Sequence, residues 1–163
     1  MGIFSKYIKE QKEYNKKLDK EGTIKCTLKN VKSRKDESSD LITFIFEGYY
    51  YNLYTDEIID NDKYDALISF DFHNKNDNIC GYFINNIIKI ISAITKEKDT
   101  ILSIVDKAIS LKDLTDEINK QIKYQNIELL LDVKKVVYGN KVFIKPDFND
   151  TFLIRYEDRE LPF

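Results

Sequence analysis

The spacing of apolar residues changes period twice along this chain, and that limits the folds open to it. Over residues 23–73 apolar and polar side chains alternate; over 79–123 apolar residues recur every three to four positions; over 127–146 the alternation returns. A strand sends successive side chains to opposite faces, whereas a helix repeats a face every 3.6 residues. The expected order is therefore three strands, a helical block, then two strands: an α+β domain. With 163 residues the chain is long enough for one domain with a real core and short for two.

The strand at 23–32 sets Ile24, Cys26 and Leu28 on one face and Lys25, Thr27 and Lys29 on the other. In the strand at 41–54, Ile42, Phe44 and Phe46 are the core side, and Gly48 marks an expected bulge or bend. Ile68, Phe70 and Phe72 form the core side of the strand at 66–73. Helices are expected over 79–95, 101–109 and 111–123, the last opened by Ser110 as N-cap with Asp113 in the first turn. Strands at 127–137 and 141–146 flank a turn at Tyr138, Gly139 and Asn140. Phe4, Tyr7, Ile8, Tyr14 and Leu18 fall near helical spacing before Gly22. The chain thus divides into an N-terminal helical segment (1–22), a domain (23–147) and an acidic tail (148–163).

Several function classes lack their residues. Cys26 and Cys80 are the only cysteines and His73 the only histidine, too few for a zinc framework or a disulfide scaffold, so a reducing compartment is expected. No secretory signal is visible, and Asn85, Asn86 and Lys89 interrupt the most apolar stretch, which reads as a buried helix and not a membrane span. Asp56, Glu57, Asp60 and Asp62 lack the glycine and glutamate of a calcium loop, and no phosphate-binding glycine pattern occurs. Asp132 and Lys134 on an apolar strand suggest the acid-x-Lys of metal-dependent nucleases, but the nearby upstream acids Asp113, Asp116 and Glu117 fall on an expected helix. The expectation is a protein that is not an enzyme and needs no cofactor or metal.

Residues 1–35 hold eleven cations against four acids, while the whole chain is at −2, so the remainder carries −9. A nucleic-acid binder needs a basic surface where phosphates lie, not a basic total. The order of five strands with helix between the third and fourth resembles the OB-fold, a five-stranded barrel that binds oligonucleotides. The last eight residues, Tyr156-Glu157-Asp158-Arg159-Glu160-Leu161-Pro162-Phe163, resemble the acidic tip of phage and bacterial single-stranded DNA-binding proteins. Arg159 breaks the acid run, and the linker before the tip is shorter than that family's. The resemblance implies a sequence-tolerant single-stranded DNA-binding protein of DNA replication, recombination or repair. It implies a cytoplasmic location in a bacterial or phage-infected cell. It also implies a tip, Glu157, Asp158, Glu160, Leu161, Pro162 and Phe163, that recruits replication or recombination proteins.

Binding single strands takes cations along the backbone and aromatic faces under the bases. By parity Lys25, Lys29, Tyr49 and Tyr51 share the outer face, with Tyr54 closing the cluster; a bulge at Gly48 would put Tyr50 there instead. Lys32, Arg34 and Lys35 fall in or beside the first turn, and Lys134 and Phe143 in the last hairpin. These ten residues are the expected nucleic-acid contacts, and a homo-oligomer is compatible with them. The competing expectation is a phage-encoded domain that binds and inhibits a host defence protein, which an acidic, tyrosine-rich α+β domain would also suit.

Overall fold

The computed structural model describes residues 15–95, 97–123 and 126–160. In chain order the strands are β1 (Lys16–Lys17), β2 (Gly22–Lys35), β3 (Asp40–Asn52), β4 (Glu57–Ile58) and β5 (Tyr64–Asp71). Three helices follow: α1 (Asp77–Ile94), α2 (Lys98–Lys107) and α3 (Leu111–Ile122). Then come β6 (Leu129–Tyr138), β7 (Lys141–Pro146), β8 (Leu153–Arg155) and a 3-10 turn, Tyr156–Asp158. The strands form one sheet in the order β1-β5-β3-β2-β6-β7, with β4 paired to β3 and β8 to β6. β1 and β5 run parallel, and every other pairing is antiparallel. β2, β3 and β5 are a meander, and the helical block returns the chain to lay β6 beside β2, so the first four long strands have the Greek-key order 4-1-2-3.

β2 and β3 are the long pair at the centre. Their register holds from Thr23↔Tyr51 to Leu28↔Phe46, skips one residue of β2, and resumes at Asn30↔Ile45. The extra residue is Lys29, so the bulge lies there and not at Gly48. Gly48 stays in register, and its role is close approach: a Cβ would lie 2.0 Å from the Lys25 carbonyl oxygen. Only glycine lets β2 press this near. With no bulge at 48, Tyr50 points into the core and is fully buried, while Tyr49 and Tyr51 take the outer parity.

The inner face carries Ile24, Cys26, Ile42, Phe44, Phe46, Ala66, Ile68, Phe70, Leu129 and Leu131, all buried. Burying one side chain of this size contributes about 1.5–3 kcal/mol before the entropy of ordering is set against it. Ile87, Ile90, Ile91 and Ile94 of α1 and Leu114 and Ile118 of α3 complete the core. α1 starts where the Asn76 side chain accepts from the Ile79 N–H, and α3 where the Ser110 hydroxyl accepts from the Asp113 N–H. At the other end of α1, the Arg155 guanidinium donates to the carbonyls of Ser92, Ala93 and Thr95, satisfying groups a helix C-terminus leaves open. β2 outruns β6, and its free edge is met by a side chain: Asn119 accepts from the Val31 N–H at 2.9 Å and donates to the Val31 carbonyl at 2.7 Å.

β7 and β8 run end to end along one edge of β6, joined by residues 147–152. That joint turns inward. Phe152 is buried, and Phe148 packs on Phe152 at 5.0 Å and on Phe70 of β5 at 5.7 Å between ring centroids. Among the described residues no strand pairing joins β7 or β8 to β5, so the sheet is open there and the gap is crossed by aromatic side chains.

Three sequence expectations change. The N-terminal helix lies outside the described residues up to 14, and from Asn15 the chain is extended, with Lys16–Lys17 paired to β5. The stretch after 147 is part of the domain, since Phe152 and Leu153 belong to the core. Barrel closure is not present as strand pairing. The five long strands and the three helices otherwise stand within a few residues of their expected bounds.

Candidate functional site

The outer face of β2 and β3 carries Lys25, Thr27, Lys29, Glu47 and Tyr49, because each is offset by one from a core residue. Its charges are paired locally. Lys29 and Lys63 reach Glu47 at 3.6 and 3.4 Å, and the Asn15 side-chain amide donates to the same carboxylate at 3.2 Å. Lys25 reaches Glu128 at 3.2 Å. Partly exposed pairs of this kind contribute about 0–1 kcal/mol each. Between them is a shallow groove lined by Lys25, Glu47, Tyr49 and Lys63.

Beside this groove the C-terminal segment folds back onto the sheet. Tyr156 lies edge-on to Tyr51 at 5.9 Å, Lys25 Nζ sits 3.9 Å from the Tyr156 ring centroid, and the Arg159 guanidinium covers the ring at 3.8 Å. The hydroxyls of Tyr51 and Tyr156 both donate to the Asp56 carboxylate, which Arg159 also approaches at 3.5 Å. The Tyr156 hydrogen bond first, then that of Tyr51 and the nearby cations, holds the Asp56 carboxyl below its usual range. Burial, then the Asp56 bond, raises Tyr51 above an ordinary phenol. Tyr51 therefore takes the expected outer parity yet is only 3% exposed, because Tyr156 covers it.

The β6–β7 hairpin is a second surface. The two-residue turn Gly139-Asn140, with Gly139 at φ +58°, projects it past the core. On the same face as Lys25 it carries Lys134, Tyr138, Phe143 and Lys145. Tyr138 and Phe143 are 61% and 39% exposed, with ring centroids 6.0 Å apart, and Lys145 Nζ lies 5.3 and 5.2 Å from the two centroids. Lys134 pairs with Asp147 at 2.9 Å.

At the opposite end, the turn after β2 holds Arg34 against Asp36 at 3.3 Å. The Ser38 N–H, the hydroxyls of Ser39 and Ser38, and Arg34 together pull the Asp36 carboxyl down to about 2. Lys32 and Lys35 are exposed and form no ion pair with a described residue.

Nine of the ten expected contacts fall in three places: Lys25, Lys29, Tyr49 and Tyr51 on the central strands, Lys134 and Phe143 on the hairpin, and Lys32, Arg34 and Lys35 at the far turn. Tyr54 stands apart and exposed in the turn after β3. Of the expected tip, Glu157, Asp158 and Glu160 are described, and Leu161, Pro162 and Phe163 lie outside the described residues. Sequence reasoning passed over Asp56 and Tyr156, which hold the C-terminal segment down, and Tyr138, which it read only as a turn residue. Parity would have found Tyr138; nothing in the sequence pairs Asp56 with Tyr156.

Asp132 accepts from the Thr23 hydroxyl at 2.8 Å, and among the described residues no three His, Cys, Asp or Glu side chains converge as a metal site. No described helix is long and apolar enough to cross a membrane. The chain matches no model of a known protein family. A comparison with curated proteins gives no match.

Proposed function

We propose that this chain binds single-stranded DNA, with little sequence preference, on the outer face of its sheet. The observation that carries the reading is the exposed Tyr138–Phe143 pair with Lys145 across both rings and Lys134 beside them. Exposed rings offer stacking platforms to any base, at about 1–3 kcal/mol each, and the lysines track the phosphates. Lys25 continues the face from β2. The Greek-key order also supports it: the sheet is that of an OB-like barrel left open between β5 and β7, and such barrels bind oligonucleotides.

The segment ending in Arg159 acts on this reading as a cover. It occupies Lys25 and Tyr51 in the free protein, and a strand running inward from the hairpin displaces it. The acidic residues Glu157, Asp158 and Glu160 disfavour phosphate while the cover is closed. Once released, 157–163 is free to recruit replication or recombination proteins.

A titration with oligo-dT tests the reading. The chain has no tryptophan, so its intrinsic fluorescence is that of tyrosine. Binding quenches it, and affinity falls with salt by about 0.7 in log–log slope per phosphate neutralised. No quenching, or binding insensitive to salt, would overturn the proposal.

A further inference from the structure

Two exposed parts of the chain are complementary to each other. The hairpin residues 134–145 include Lys134, Lys135, Lys141 and Lys145 and no acid. Residues 54–62, around β4, include Asp56, Glu57, Asp60 and Asp62 and no base; Asp56, Asp60 and Asp62 meet Arg159, Lys20 and Lys16, and Glu57 has no ion pair with a described residue. Each part also exposes apolar surface. Val137 and Val142 face each other across the hairpin, 60% and 53% exposed, on the side opposite Tyr138 and Phe143. Around β4, Ile58 and Ile59 are exposed in the same way.

Their placement matters as much as their chemistry. Thr23 pairs with Tyr51 and Gly22 with Val133, so level with the start of β2 the chain leaves β3 for the acidic loop, while β6 runs on into the hairpin. The acidic loop and the basic hairpin therefore leave the same end of the sheet, with one strand between them, about 10 Å apart at the base by strand spacing. Lys20 reaches Asp60 on one side, and Glu21 accepts the Lys135 N–H on the other.

We propose that this end of the sheet is the interface of a two-fold dimer, in which the hairpin of one protomer seats on the residue 54–62 loop of its partner. A two-fold interface is self-complementary: when one protomer's hairpin meets the partner's loop, the reverse contact forms at once. Two complementary patches side by side satisfy that rule, and no other occupant is needed to supply either half. The acidic loop repels nucleic acid. Lys135, Val137 and Val142 are on the side that the DNA-binding reading leaves unused, whereas Lys141 shares the face of Tyr138 at the hairpin tip, so the dimer goes beyond that reading without resting on it.

The test is sedimentation equilibrium of the full chain without DNA, over a wide range of concentration. The wild type is expected to dimerise. Glu57→Lys and Lys141→Glu are exposed positions, and each substitution sets like charges across both contacts. Each variant alone should dimerise roughly tenfold more weakly or worse. Mixing the two restores both contacts, since the reversed loop then meets the reversed hairpin and the two unaltered patches meet each other. Recovery of a one-to-one dimer in the mixture supports the interface. A monomeric wild type, variants that dimerise as well as the wild type, or a mixture that stays dissociated overturns it. Thermal unfolding of each variant confirms that it is folded.

Discussion

Tyr51 and Tyr156 donate their hydroxyl protons to one and the same oxygen, Oδ1 of Asp56. One tyrosine belongs to the central strand and the other to the last turn of the described chain, so a single carboxylate ties the C-terminal segment to the sheet. Replacing Asp56 by alanine removes the acceptor of both hydroxyls and the partner of Arg159. The segment should then lift, trypsin should cut faster after Arg159, and oligo-dT affinity should rise because Lys25 and Tyr51 are uncovered. Unchanged cleavage would show that the ring contacts alone hold the segment.

Acid should act in the same direction. The Asp56 carboxyl is depressed in the folded protein, so its contribution is complete above about 3.8, its value in an unfolded chain, and is lost as pH falls through the lower folded value. Hydrogen exchange at the Tyr156 amide, which donates to the Glu128 carbonyl, should accelerate relative to the β3 amides over that window. In Asp56→Ala the relative acceleration should be absent.

Alkali should test a different group. Tyr50, Tyr51 and Tyr64 are all raised above the ordinary phenol, each chiefly by burial. A raised folded value stabilises below the unfolded one, about 10, and the contribution is lost as pH rises through the folded value. Denaturant midpoints should fall above that pH, and tyrosinate absorbance should show ionisation withheld until the chain unfolds. Full titration of all eleven tyrosines in the folded state would contradict this burial.

The hairpin rings separate binding from stability. Tyr138→Ala with Phe143→Ala removes exposed rings, so the melting temperature should move little, while oligo-dT affinity should drop by about 1–3 kcal/mol per stacked base. Equal affinity in a folded double variant would move the stacking platform elsewhere.

Asn119 is expected to matter for stability alone. Its side chain satisfies both backbone groups of Val31, which is buried, and alanine would leave them without a partner at a cost of about 1–3 kcal/mol. Denaturant unfolding measures that loss, and affinity for oligo-dT should be unchanged.

Much of this architecture was legible because each long element repeats its own pattern several times. Ile42, Phe44 and Phe46 alternate as a strand must, and Ser110 with Asp113 marks a helix start, so both stood where expected. β1 and β4 have two residues each, too few to show any period, and both exist only because a longer strand offers them an edge. Gly48 reads in the sequence as a bulge or a bend, and only the position of Lys25 across the sheet reveals a close approach instead. The site was less legible for the same reason. Parity places Tyr51 on the outer face, but the cover over it comes from Tyr156 and depends on Asp56, three residues with no local relation in the chain. Phe148 and Phe152 sit in a stretch whose many acids read as a tail, yet their rings fill the open side of the sheet.

Glu47 and Tyr51 lie on the same face of β3, one turn of the pleat apart from Tyr49. Asn15 rests on the first and Tyr156 on the second. The earliest and nearly the latest described residues thus converge on one short stretch of the central strand. Both contacts need the β2–β3 ladder in place, and both belong to the ends of the described chain, where local opening costs less than global unfolding. A fluorescent donor near Asn15 and an acceptor near Arg159 would therefore start close together and separate well before the core melts, turning the two ends of the described chain into a built-in gauge of how open the face is.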